Sequence, residues 1–316
     1  MIHTYLVLAI AASALTLRWQ WHCHYQKSQG LGELFQREQD SQQNQWNRQW
    51  WRALVALVLP PLWLLNGWIA VLLMGHAGTM WGYSVGTLGS ILAIAGLAWA
   101  VAQLVIAWRQ GQHSVNAISQ LPTVDVQGQM ARLIDQSVPY AAQVGFWRSH
   151  LVVSQGFLDC FSPAQIKAVL AHEGAHASTR DTFTFFWLSW LHRLVSWLPG
   201  SGELWQELLL LREIRADHHA AQLTDPLDVA EALLLMVQFP LQSSAPMTTA
   251  MGDAVGVAGD AGGDRLNRRI QSLIQQTQRP PQHAAKASLS QSIPALFSWG
   301  LTVLAACPLL IIALHH

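Results

Sequence analysis

Four long apolar runs constrain this chain before any other feature does. They cover residues 1–17, 53–74, 84–108 and 293–314, and roughly 17–25 apolar residues suffice to cross a bilayer as a helix. The composition agrees. Of 316 residues, 51% are hydrophobic and 11% charged, against about 25% charged in ordinary soluble domains. The first run, MIHTYLVLAIAASALTL, lacks the basic segment that opens a cleaved leader and is expected to remain as an anchor. The second contains Pro60 and Pro61, expected to kink it. The third carries Gly and Ala positions suited to close helix packing. Trp19, Trp21, Trp50, Trp51, Trp81 and Trp108 fall near the run ends, where an aromatic belt would place them.

Positive charge orients these runs. Arg18, Lys27, Arg37, Arg48 and Arg52 lie in segment 18–52, and every other Lys or Arg lies between Arg109 and Lys286. The short loop 75–83 and both termini carry none. Basic loops stay on the cytoplasmic side, so 18–52 and 109–292 are expected there and both termini outside. The formal net charge is zero, which argues against nucleic-acid binding. Cys23, Cys160 and Cys307 are too dispersed for a disulfide framework or a thiolate metal site, and Cys160 is expected to be a small buried hydrophobe.

Segment 109–292 is the part large enough for a folded domain outside the bilayer. Within it, QVGFWRSHLVVS (143–154) has β-rich runs on either side of Arg148 and Ser149 and predicts a hairpin. SPAQIKAVLAHEGAHAS follows with strong helix-start signals. Ser162 is an N-cap, Pro163 sits at the first helical position, and Gln165 completes a capping box. Segment 183–198 is hydrophobic but short. Its polar stripe of Ser189, His192, Arg193 and Ser196 predicts a helix lying in the membrane interface. Helices are expected over 202–223, about 226–239 and 265–274, with a Gly- and Ala-rich loop over 241–264.

The helix opened by Ser162 carries His172, Glu173 and His176 as an H-E-x-x-H. On a helix this spacing sets two imidazoles one turn apart on one face, with a carboxylate beside them. That is the arrangement of a peptidase zinc site, with the Glu as general base. A packing role for the same helix would leave Glu173 buried among apolar neighbours, which is costly for an unpaired charge. Catalytic zinc takes three protein ligands. The best third candidate is Glu213 in LREIRADHHA, and Asp217 one turn on could accept the second N–H of a ligating His. The small Ala216 and Ala220 would let the two helices approach closely. The competing reading pairs Glu213 and Asp217 with Arg212 and Arg215 on a solvated face.

The stretch VGFWRSHLVVSQGFLDCFSPAQIKAVLAHEGAHASTRD, followed by EIRAD, resembles the integral-membrane gluzincin peptidases. These include the HtpX and CAAX-prenyl-protease family and the BlaR/MecR antibiotic-sensor family. The resemblance implies one zinc ion per chain, held by His172, His176 and Glu213, with Glu173 as catalytic base and Asp217 behind a ligand. It also implies an edge strand, at Val152 and Val153, that pairs with an extended protein or peptide substrate. Asp181, five residues after the second His, is expected mainly as an ion-pair or helix-end residue, with a weak claim to stand behind a ligand. DRLNRRIQSL keeps an Arg-Ile pair found in HtpX-type proteins but lacks the preceding His-Pro, so Arg269 is a candidate transition-state or substrate contact.

The expected fold is mainly α. It is a polytopic membrane protein of about four transmembrane helices with a cytoplasmic α+β zincin-like catalytic domain containing a small β-hairpin or sheet. Three spans and the loop 18–52 make up 1–108, the peptidase domain is 109–292, and the last span lies in 293–316. The expected function is a zinc-dependent endopeptidase of a bacterial-type inner membrane, acting on membrane-associated or regulatory proteins. The alternatives are a BlaR-like transducer that cleaves a cytoplasmic regulator, and a non-catalytic membrane scaffold with a degenerate site.

Overall fold

The computed structural model describes residues 41–74, 79–80, 83–84, 86–242 and 260–277, together with Thr16 and Trp19. The expected spans at 1–17 and 293–314 and most of the loop 241–264 lie outside the described residues. The chain divides into two compact units. One comprises Met1–Ile106, Trp187–Leu209 and Ser290–His316, and the other Ala107–Phe186 and Leu210–Leu289.

The first unit is built on two long helices, α1 (Ser41–Met74) and the start of α2 (Gly86–Ser119), with a two-stranded ribbon of β1 (Thr79–Met80) and β2 (Tyr83–Ser84). Among the described residues, two helical stretches are long and apolar enough to cross a membrane, Arg48–Leu73 and Thr87–Ser119. Helix α1 continues through Pro60 and Pro61. The small residues of α2 pack as expected. A methyl group on Gly96 would lie 2.5 Å from the Trp68 ring, so only glycine admits that indole. Within the same unit the Trp190 indole N–H donates to the Ala100 carbonyl at 3.0 Å, and Leu64 packs against Val195 and Leu198.

The second unit holds a small four-stranded mixed sheet, in which the expected hairpin of 143–154 forms one antiparallel pair. Its strands are β3 (Thr123–Val126), β4 (Gln129–Ile134), β5 (Ala141–Val144) and β6 (His150–Ser154), in the order β3-β4-β6-β5. β3 and β4 pair antiparallel through a tight turn with positive φ at Gln127 and Gly128, the geometry that matches strand twist in a two-residue hairpin. β4 and β6 run parallel, and β5 closes one edge antiparallel to β6, with Ala142 opposite Val152. This order corrects one expectation. Val152 and Val153 sit on an interior strand and are wholly buried, so the free edge beside the hairpin belongs to β5.

Short helix α3 (Gln155–Cys160) follows β6, capped by Ser154, whose hydroxyl accepts the Phe157 N–H at 3.1 Å. That fully buried hydroxyl also accepts the Tyr140 N–H at 2.8 Å and donates to the Val138 carbonyl at 2.9 Å. One serine thus ties the start of β5 to the end of β6. Cys160, expected inside, is exposed at the end of α3. Its place at a helix terminus turns it outward while Phe157 and Phe161 fill the core.

Helix α4 (Pro163–Ser178) begins as its sequence dictates. Ser162 accepts the Gln165 N–H, and the Gln165 side chain accepts the Ser162 N–H, a closed capping box. Its apolar stripe of Ile166, Val169 and Leu170 packs on Leu151 and Val153 of the sheet and on Phe157 and Phe161. The remaining helices are α5 (Asp181–Leu194), α6 (Ser201–Leu223), α7 (Pro226–Gln242) and α8 (Asp260–Thr277). Small residues bring α4, α6, α7 and α8 together, with Ala168, Ala220, Val229 and Leu273 forming one buried cluster. Ala216 and Ala220 are completely buried, and Ala220 packs with Ala168 of α4 in that cluster. Helix α5 has 14 residues, about 20 Å of length, short of a hydrocarbon core of about 30 Å.

Candidate metal centre

Helix α4 presents His172 and His176 one turn apart, and α6 brings Glu213 to them. The two imidazole Nε2 atoms are 3.2 Å apart. Glu213 Oε2 lies 3.3 Å from His172 Nε2, and its Oε1 lies 3.8 Å from His176 Nε2. All three ligand atoms fall within 4.8 Å of one another. A zinc ion with tetrahedral bonds of about 2.0–2.1 Å needs ligand atoms roughly 3.3–3.4 Å apart. The two imidazole nitrogens are near that spacing, each lies nearest a different Glu213 oxygen, and the His, His and Glu donors are the type zinc favours.

The other nitrogen of each imidazole is held by a carboxylate. His172 Nδ1 lies 2.9 Å from Asp217 Oδ1, and His176 Nδ1 lies 2.7 Å from Asp181 Oδ2. Such contacts fix the tautomer, turn the lone pair of Nε2 toward the shared centre and raise its basicity. Each carboxylate is gripped in turn by an arginine. Arg269 of α8 donates from Nε and Nη2 to the two oxygens of Asp217, both at 2.7 Å. Arg215 of α6 reaches both oxygens of Asp181 at 2.6 Å, and the Thr179 hydroxyl donates to the same carboxylate at 2.9 Å. Two Arg–Asp–His chains therefore converge on one point.

Asp181 owes its position to the end of α4. Thr179 caps that helix with its N–H on the Ala175 carbonyl, and Arg180 takes a left-handed turn at φ 52°. The chain reverses there, and Asp181 opens α5 while facing back toward His176. It pairs with Arg215 and also contacts His176 Nδ1.

Electrostatics follow from burial and these pairs. Burial opposes charge on Asp217, but the guanidinium of Arg269 outweighs it and brings the carboxyl down to about 2. Partial burial opposes charge on Glu213 too, yet Arg212, His172, His176 and Arg269 hold it well below the usual carboxylate range. Burial alone would keep His172 neutral, but Asp217 and Glu213 push the imidazole up to about 10. Glu173 goes the other way. Its carboxyl is raised by burial, against the pull of His172, His176 and the Gln143 N–H, which donates to Oε2 at 2.9 Å.

Several expectations are revised by this geometry. Arg269 commits two of its three nitrogens to Asp217 and sets the third 3.6 Å from Glu213, so its fork faces carboxylates rather than an open position for a reacting carbonyl. Arg212 does pair with Glu213, at 2.7 Å, but Arg215 pairs with Asp181 instead of Asp217. Asp217 is 1% exposed, which removes the solvated-face reading for it. Sequence reasoning did not find Gln143, Thr179 or the pairing of Arg215. Gln143 acts through its backbone, which carries no residue-type signal.

Residues 109–249 match the model of Peptidase family M48. The M48 match supports a metallopeptidase, a family property that brings a metal, typically zinc, and a protein or peptide substrate. It takes in β5, both histidines, Glu213 and Asp217, and stops before Arg269. No curated protein and no solved structure matches the chain.

Proposed function

We propose that the chain is a membrane-embedded zinc endopeptidase that cleaves membrane-associated or regulatory proteins at the cytoplasmic face of a bacterial-type inner membrane. The observation that carries this reading is the triangle of His172, His176 and Glu213, with a carboxylate behind each imidazole. The two apolar helical stretches and the distribution of basic residues support the membrane setting and the sidedness. The short, amphipathic α5 supports a helix lying at the interface.

In this reading His172, His176 and Glu213 would hold zinc, which supplies Lewis acidity that acidifies water and polarises a carbonyl. Glu173 accepts the proton of the attacking water and returns it to the leaving amine. Its raised proton affinity suits it to both tasks, and the Gln143 N–H keeps its carboxylate turned toward the site. Edge strand β5 binds the substrate. The Tyr140 carbonyl accepts the Ser154 N–H, so alternation directs Ala142 toward β6 and leaves the backbone groups of Ala141 and the Gln143 carbonyl facing outward, the Gln143 N–H being taken by Glu173. An extended peptide adds to that edge antiparallel or parallel and passes beside Glu173. Asp217 and Asp181 orient the imidazoles, and Arg269 and Arg215 compensate the buried carboxylates.

The test is zinc analysis and casein cleavage by the purified full chain, wild type beside Glu173→Gln. One zinc per chain in both proteins, with cleavage confined to the wild type, is expected. Cleavage by a zinc-loaded Glu173→Gln protein would sink the assignment.

A further inference from the structure

The connection between β5 and β6 is Gly145-Phe146-Trp147-Arg148-Ser149. Gly145 has φ 142°, and a Cβ there would lie 2.1 Å from the Arg148 carbonyl, so the tight tip depends on glycine. Phe146 is sunk in an aromatic nest, with ring centroids 5.3 Å from Trp108, 5.1 Å from Phe183 and 4.5 Å from Phe186. Trp147 stacks edge-on against Phe146 and is nevertheless 72% exposed, with Arg148 exposed beside it. An indole held out on a rigid aromatic base in this way suits a boundary that is apolar on one side and wet on the other.

The level of Trp108 identifies that boundary. Taking the candidate span from its first residue, Thr87, the helical rise puts Trp108 about 32 Å along, which matches a hydrocarbon core of about 30 Å. The apolar run ends there, and exposed Arg109 follows. Phe146 touches Trp108, so the tip shares its depth. Arg148 and Arg109 are the charges that anionic headgroups attract.

We propose that the β5–β6 tip is a membrane-interface anchor. Trp147 inserts at the boundary of headgroups and acyl chains, and Arg148 meets lipid phosphate. The proposal rests on the membrane reading above and deepens it. Gln143, the edge residue that touches Glu173, is four residues from Trp147 and therefore at most about 13 Å from the anchor. Substrates are then segments of protein cut within a few residues of the bilayer surface.

The test places a nitroxide at single cysteines in the full chain, with Cys23, Cys160 and Cys307 replaced by Ser. The variants are Trp147→Cys, Ile94→Cys in the apolar part of α2, and Asp135→Cys. Asp135 follows the end of β4 that pairs with Ser154, away from the tip. Collision with oxygen and with a water-soluble nickel chelate is measured in nanodiscs of phosphatidylethanolamine and phosphatidylglycerol. The expected result is an oxygen-to-nickel ratio at 147 several-fold above that at 135, at a depth of ~5–10 Å, with 94 deeper still. A label at 94 in lipid and at 147 as wet as at 135 would overturn the anchor and leave the membrane reading standing. A wet label at 94 would overturn both. A label at 147 shielded from both reagents would mean a protein cover and would also overturn the anchor.

Discussion

Arg269 and Asp217 meet fork to fork, with two hydrogen bonds of 2.7 Å between residues 52 apart in sequence. The pair joins α8 to α6 and stands directly behind His172. Replacing Arg269 with Met leaves a buried carboxylate without its counter-charge, at a cost of about 3–5 kcal/mol. Thermal unfolding of the metal-free protein in detergent measures this loss. If Arg269 acts by positioning, Arg269→Lys also weakens zinc binding in chelator competition, by roughly 10-fold. A purely oxyanion-binding Arg269 would lower kcat and leave zinc affinity alone.

Asp181 and Asp217 orient different imidazoles, so each can be tested separately. Asp181→Ala is expected to reduce zinc affinity about 10- to 100-fold, with a similar loss for Asp217→Ala. Competition with a chromogenic chelator gives both values. Unchanged affinity in either variant would remove that carboxylate from the site.

Glu173→Gln keeps the shape of the side chain and its contact with Gln143 but removes the proton acceptor. The turnover rate is expected to fall by about 10²- to 10⁴-fold. Zinc content should be unchanged, because Glu173 is not among the three donor residues.

Tyr140 gives a pH signature at the alkaline end. Burial first, and then the charge of Glu173, push its phenol up to about 12. The folded state therefore keeps its proton where the unfolded chain, near 10, has lost it. Stability is full below about pH 10 and falls as pH rises toward about 12. Urea unfolding across that range should show the slope, and Tyr140→Phe should flatten it.

Ser154 holds three partners with one buried hydroxyl. Ser154→Ala leaves the Tyr140 N–H and the Val138 carbonyl unsatisfied and is expected to cost about 1–3 kcal/mol. The melting temperature reads this directly. Loosening β5 should also raise KM for peptide substrates more than it lowers kcat.

The parts of the molecule legible in sequence are those set by local rules. The capping box at Ser162 and Gln165, the one-turn spacing of the two histidines and the burial of the small Ala216 and Ala220 are announced by spacing and residue type. Glu213 was reachable because a zinc site with two histidines needs a third donor. Sheet order was not legible. β5 and β6 are both short and apolar, and only the parallel pairing of β4 with β6 decides which is the edge. The arginine partners were hidden for a related reason. Arg215 is closer in sequence to Asp217 than to Asp181, but helical phase turns it toward Asp181 while α8 supplies Arg269 from afar.

The site is assembled from β5 at 143, α4 at 172–176, α6 at 213–217 and α8 at 269. During synthesis the histidines and Glu213 leave the ribosome well before Arg269 does. Until α8 docks, Asp217 is a carboxylate without the Arg269 fork that holds it behind His172. On the proposed reading, the arrangement behind His172 is complete only after the segment carrying Arg269 has been made.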